Sequence, residues 1–134
     1  MSILWSSSSL KKLVNACSSK KWEASGVEID SRKVKKGDLF CAINGKNYNG
    51  HDFINSASES GATACLISDN LKNTKKVTLV KVNNVLDALE RMAKNARMRS
   101  KAKFIAVTGS VGKTGTKDMM HLALSKVAST YSNE

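Results

Sequence analysis

Proline is absent from all 134 residues, cysteine occurs three times, and Phe, Trp and Tyr together make up 5%. So few aromatics, among basic residues that are scattered rather than clustered, argue against a base-stacking platform for nucleic acid. Cys17, Cys41 and Cys65 are odd in number and far apart, and no two stand at zinc-ligand spacing. They argue against a disulfide frame and for free, buried thiols in a reducing compartment. No apolar run approaches the ~20 residues of a membrane span. Met1 to Trp5 is too short and uncharged for a signal peptide, so the expected setting is the cytosol. Asp30 and Asp52 have no close carboxylate partner, which leaves paired acid–base catalysis without support. The missing proline (a usual share is about 5%), with Lys well ahead of Arg and Ser and Asn plentiful, reads as compositional drift.

Apolar residues make up 41% of the chain, enough for one modest domain. Lys and Arg number 22 against 11 Asp and Glu, a net charge of +11 that favours anionic partners: nucleotides, nucleic acid or acidic lipid.

Ser6 to Ser9, followed by Leu10, Leu13, Val14 and Cys17, predicts a serine-capped first helix of about three turns. Short strands are predicted over Val27–Ile29, Leu39–Ile43, Ala62–Ile67 and, by alternation, Val77–Val82. Lys35 to Asp38 is a turn, and Asn44-Gly45 and Asn49-Gly50 mark a looped-out segment. His51 to Ser60 reads as a helix that buries Phe53, Ile54 and Ala57 and stops at Gly61. Ser68 to Lys76 is a polar loop. Asn83 or Asn84 caps a helix with Val85, Leu86, Leu89, Met92, Ala93 and Ala96 inward and Arg91, Lys94, Arg97 and Arg99 outward. Ser100 to Lys103 is the expected linker. A last helix buries Met119, Met120, Ala123, Leu124 and Val127, with His121 on its surface.

Ahead of that last helix lies the most informative stretch. Phe104 to Val107 reads as a buried strand, and Gly109-Ser110-Val111-Gly112-Lys113-Thr114-Gly115 follows at the start of the helix. Strand, glycine turn, Gly-Lys-Thr and helix is the order of a phosphate-binding loop. Its glycines let backbone N–H groups converge on an anion, and the helix directs its unpaired N–H groups to the same spot. Lys113 is the candidate catalytic residue, a point charge on the β/γ-phosphates of ATP. Thr114 is the candidate Mg²⁺ ligand. The glycines are closer than in the common phosphate loop, giving Gly-x-x-Gly-Lys-Thr. About 25 residues follow Gly109, whereas a βαβ unit alone takes about 30. The expectation is therefore an amino-terminal portion of a longer protein.

These stretches resemble the Mur ligase family. The carriers are Asp30-Ser31-Arg32 with Gly37-Asp38-Leu39-Phe40, then Gly45, Asn49-Gly50-His51-Asp52-Phe53-Ile54, Gly61-Ala62 and Thr108 to Thr114. The short glycine spacing is the family's own variant. The resemblance implies a mixed α/β fold: a UDP-substrate-binding domain over 1–99, a linker at 100–103, and the first strand, loop and helix of an ATP-binding central domain over 104–134. It implies an ATP- and Mg²⁺-dependent ligase of peptidoglycan precursor synthesis that works through an acyl phosphate, the fragment itself being inactive. Ser31, Arg32, Asn44, Gly45, Asn49 and His51 would face the UDP end of the substrate, and Gly109 to Gly115 would bind ATP. Ser110-Val111 with Lys117 leans to members that join D-alanyl-D-alanine to a UDP-N-acetylmuramoyl-tripeptide, the dipeptide being held by a third domain. Members that add the third amino acid more often carry Thr-Asn there. Gly115 is unusual in either pattern. The rivals are a different phosphate-loop protein, such as a small kinase or GTPase, and a basic nucleic-acid-binding module, which steep salt dependence would mark.

Overall fold

The computed structural model describes residues 2–71 and 76–133. It divides into two compact units, Met1–Ser100 and Lys101–Glu134.

The first unit is built on a five-stranded sheet. Strands β4 (Gly26–Glu28), β5 (Asp38–Cys41), β6 (Ala64–Ile67) and β7 (Thr78–Lys81) run parallel, and β2 (Cys17–Ser18) closes the β7 edge antiparallel, in the order β2-β7-β6-β5-β4. A small antiparallel pair, β1 (Trp5–Ser6) and β3 (Glu23–Ala24), stands apart. Alternate residues of the central strands enter two cores. Leu39, Cys41, Ala64 and Leu66 pack with Trp5, Leu10, Val85, Ala88 and Met92 of β1, α1 (Ser7–Val14) and α3 (Val85–Arg99). Phe40, Cys65 and Ile67 face the other way, onto Ile54 and Ala57 of α2 (Ile54–Glu59). A parallel sheet covered on both faces needs apolar residues at every position of its inner strands. That is why Leu79 and Val80 of β7 are both buried, where the sequence suggested alternation.

Local signals set the helix boundaries. Ser6 and Ser9 form a reciprocal capping box, and Asn15 closes α1 in the left-handed conformation at φ 53°. The helix has eight residues, shorter than expected, and Cys17 lies beyond it on an exposed edge strand. Only Cys41 and Cys65 are the buried thiols anticipated. Burial pushes both up to about 12, so they stay protonated. Asn84 caps α3 through its Oδ1, which accepts from Leu86 and Asp87 N–H. The inward face of α3 is Val85, Ala88 and Met92, with Leu89 and Ala96 packed against the same core, whereas Leu86 and Ala93 are exposed. Gly50–Phe53 is a 3₁₀ turn before α2, and this change of pitch rotates Phe53 out of the core. The Ser68 to Lys76 loop falls partly outside the described residues.

The second unit departs further from expectation. Its helix α4 (Lys113–Ser125) forms, yet none of its residues is buried; Met119 and Leu122 are 72% and 67% exposed. Phe104 to Val107 is not a strand, and Phe104 and Ile105 are exposed. A strand exists only as one side of a ladder, and no second strand is found among the described residues of this unit. An amphipathic pattern likewise buries nothing without a surface opposite it.

Candidate functional site

In an open parallel sheet, ligands gather beyond the carboxyl ends of the strands, where loops leave in different directions. Residues 29–32 leave β4 there and residues 42–50 leave β5. Between them lies a cleft of about 800 Å³, lined by Ile29, Asp30, Ser31, Arg32, Phe40, Ile43, Gly45, Tyr48, Gly50, Phe53 and Ser56.

The Asp30-Ser31-Arg32 corner is tightly built. Arg32 donates from Nε to Asp30 Oδ1 at 2.9 Å and from Nη2 to Asp30 Oδ2 at 2.7 Å, while its backbone N–H donates to Oδ1 at 3.1 Å. These donors hold the Asp30 carboxyl down at about 2 from an ordinary 3.8. Asp30, which the sequence left without a partner, is therefore the brace of Arg32, whose side chain remains 86% exposed at the rim. Ser31 is buried in the wall, and its hydroxyl makes no hydrogen bond among the described residues.

The opposite wall is a closed loop. Asn44 and Asn49 pair as an isolated antiparallel bridge, Gly45 N–H donates to the Tyr48 carbonyl at 2.9 Å, and Gly50 N–H donates to the Ile43 carbonyl at 2.9 Å. Gly50 lies so close to β5 that a Cβ would stand 2.6 Å from Ile43 N and O. Of the residues anticipated for the UDP end, Ser31, Arg32 and Gly45 line the cleft, whereas Asn44, Asn49 and His51 do not. Asn49 accepts from His51 N–H and from the ring, and His51 is buried. Tyr48 and Phe53, 75% and 41% exposed at the cleft, were not anticipated. Their only signal is an aromatic in or beside an Asn- and Gly-rich loop.

In the second unit, the Gly109–Gly112 turn holds both of its glycines at positive φ. Gly109 is at φ 154° and Gly112 at φ 78°, the latter occupying the N-cap of α4. No side chain caps this helix, so its first N–H groups face outward. Lys113 Nζ donates back across the loop to the Gly109 carbonyl at 2.5 Å. Lys113, Thr114 and Lys117 share a hollow of about 490 Å³ with Ile105, Ala106, Val107 and Asn133. Lys117 donates to the Asn133 carbonyl at 2.6 Å and pairs with Asp118. Ser110, Val111 and Gly115 are exposed. His121 is half-buried rather than on the surface, and its buried Nδ1 has no hydrogen-bond partner among the described residues. Among the described residues no cluster of His, Cys, Asp or Glu could hold a metal alone. The exposed Thr114 hydroxyl suits Mg²⁺ as one oxygen among phosphate and water oxygens. Among the described residues no helix is long and apolar enough to cross a membrane.

Residues 23–98 match the Mur ligase family, catalytic domain. Over 122 residues, 91% of the chain, the sequence is 43% identical to the UDP-N-acetylmuramoyl-tripeptide–D-alanyl-D-alanine ligase of Rickettsia prowazekii, of which it covers 27%. It is 40% identical over 104 residues, 76% of the chain, to the UDP-N-acetylmuramoyl-L-alanyl-D-glutamate–2,6-diaminopimelate ligase of Syntrophomonas wolfei, of which it covers 21%. The chain thus spans about a quarter of the length of the curated relatives it matches. Among solved structures, MurF of Thermotoga maritima in complex with ADP aligns with a TM-score of 0.64 and 31% identity, over 78% of this chain and 24% of that one. MurF of Acinetobacter baumannii aligns with a TM-score of 0.74 at 24% identity, over 92% of this chain and 28% of that one, a likeness of fold.

Proposed function

The chain belongs to the Mur ligase family, and on that premise we propose that it is the amino-terminal portion of an ATP-dependent ligase that joins D-alanyl-D-alanine to a UDP-N-acetylmuramoyl-tripeptide. The observation that carries this is the reach of one alignment. With 122 of 134 residues matched to the Rickettsia ligase, at most 12 lie outside it, so it runs through both the Ser31–Arg32 corner and the Gly109–Thr114 loop. A substrate cleft and a phosphate loop on one chain suit a reaction that brings a nucleotide-linked carboxylate to ATP.

In this reading residues 1–99 hold the UDP end, with Ser31, the exposed fork of Arg32 and Gly45 against diphosphate and ribose, and Asn44, Asn49 and His51 shaping the loop. The segment 104–134 opens the ATP-binding domain. The amides of Gly109 to Gly115 and the Lys113 ammonium hold the terminal phosphates of ATP. Lys113 turns from the Gly109 carbonyl to the phosphate, keeping its charge where negative charge develops. Thr114 would help hold Mg²⁺, which when bound neutralises phosphate charge and orients the γ-phosphoryl group. The substrate carboxylate takes that group to give an acyl phosphate and ADP. The amine of the dipeptide then attacks the acyl carbon and phosphate leaves. A single loop and helix cannot hold adenine or exclude water, so residues 1–134 alone are expected to be inactive.

A second reading is favoured by the Syntrophomonas relative: the sister ligase that adds the third amino acid. The test is an amide-forming assay on the full-length ligase. It is offered UDP-N-acetylmuramoyl-tripeptide with D-alanyl-D-alanine, then UDP-N-acetylmuramoyl-dipeptide with diaminopimelate. Turnover of the first pair only is expected; turnover of the second would give the sister reading. In the same assay Lys113→Ala should lower turnover by about a hundredfold or more, with binding of the UDP substrate largely intact.

A further inference from the structure

The loop between β5 and the 3₁₀ turn presents Gly45, Tyr48 and Gly50 to the cleft, yet residues 44–49 are all exposed. With almost no packing of its own, its shape depends on how its ends are fastened. One fastening is the Gly50 N–H bond to the Ile43 carbonyl. The other is His51, whose side chain is only 2% exposed. The Ser68 and Asp69 N–H groups donate to His51 Nε2 at 3.1 and 3.4 Å. These two amides lie just past the end of β6 at Ile67, where they have left the sheet ladder and are half-buried, and such an amide needs an acceptor. Backbone N–H groups only donate, so Nε2 is the acceptor and the ring proton sits on Nδ1. Nδ1 donates to Asn49 Oδ1 at 2.8 Å, with the Asp69 carboxylate farther off at 3.7 Å. Asn49 in turn pairs across the loop with Asn44. A continuous path of bonds therefore runs from the end of β6, through the imidazole, to the base of the cleft wall.

We infer that His51 is a positioning residue of this cleft, a clamp between the loop that leaves β5 and the carboxyl end of β6, and not a ligand; the inference rests on the uridine diphosphate reading of the cleft. A ring this enclosed has no surface to offer a substrate. Its two nitrogens perform opposite tasks at opposite ends, which a purely apolar side chain of equal size cannot do.

The test uses the 134-residue chain, UDP as the probe, calorimetry for affinity and NMR amide exchange in the unliganded protein. His51→Ala should speed exchange at Ser68, Asp69, Gly45 and Gly50 and weaken UDP about tenfold, the size expected from losing one or two net hydrogen bonds of wall support. His51→Gln, whose side-chain oxygen can accept where Nε2 did, should slow exchange at Ser68 and Asp69 again and recover most of the affinity. Should the alanine variant fail to fold, Asn49→Ala carries the test: faster exchange at Gly45 and Gly50, protected amides at Ser68 and Asp69, and weaker UDP. Loss of UDP affinity with unchanged exchange would make His51 a direct ligand and overturn the inference. Faster exchange with unchanged affinity would overturn it from the other side. A wild-type chain that ignores UDP would sink the uridine reading, and the exchange pattern would then judge the clamp by itself.

Discussion

In residues 2–100 the cleft loops leave a sheet whose inner strands are covered on both faces, and Leu39, Phe40, Leu66 and Val80 are all but inaccessible. In residues 101–133 a glycine turn leads into a helix with no buried residue. Both regions carry strong local signals. Ser6, Asn49 and Asn84 cap their helices in the first, and Gly109 and Gly112 adopt their special conformations in the second. The difference lies in what supports those signals. A caps-and-glycines code shapes a loop, but holding it against a substrate takes packed elements behind it.

The sharpest way to break the comparison is a matched truncation. Leu66→Ala should cost about 2–5 kcal/mol, because it opens a cavity between β6 and its neighbours. Leu122→Ala, on the exposed face of α4, should stay within about 0.5 kcal/mol. Urea unfolding of the two variants measures both, and similar losses would mean that α4 is buried in solution.

Glycine substitutions sharpen the same contrast at smaller scale. Gly50→Ala drives a methyl into the Ile43 backbone and should cost about 1–3 kcal/mol. Gly115→Ala meets open space in the first turn of α4 and should stabilise that helix by about 0.5–1 kcal/mol. Thermal melts followed by circular dichroism would read opposite signs, and a destabilising Gly115→Ala would show that something packs against the first turn of α4.

The smallest effect concerns a single proton. The folded-state pKa of Asp30 is depressed, so the Arg32 brace is complete above the ordinary value of 3.8 and is lost as pH falls through about 2. NMR titration of the Asp30 carboxyl should give a midpoint near 2, and Arg32→Ala should return it toward 3.8. A wild-type midpoint near the ordinary value would dissolve the brace.

Much of the first unit was legible because its signals are local or periodic. The Ser6 and Asn84 caps, the apolar runs of β5 and β6 and the Gly61 stop could be read residue by residue. Gly61 indeed sits at φ 105°, against the Lys36 backbone. What the sequence hid was pairing. Phe104 to Val107 has the composition of a strand, but composition cannot supply a neighbour. Cys17 fits a helical repeat only if Asn15 does not turn left-handed. At the cleft, Asp30-Ser31-Arg32 stood out, but the role of Asp30 depends on a side chain folding back over two residues. Only the family resemblance pointed His51 toward the UDP end; that it faces Ser68 and Asp69, far along the chain, follows from the sheet order.

The three thiols have a use that follows from their placement. Cys41 and Cys65 sit on adjacent strands but belong to opposite cores, and Cys17 is on an open edge. An alkylating reagent reacts with the thiolate, so Cys17 should label promptly while the other two wait for the sheet to open. Cys17 thereby serves as an internal reference for reagent strength, and the two slow sites time the release of the α1–α3 layer and of the α2 layer separately. Equal slow rates would mean that the sheet comes apart as one event, and unequal rates would name the layer that leaves first.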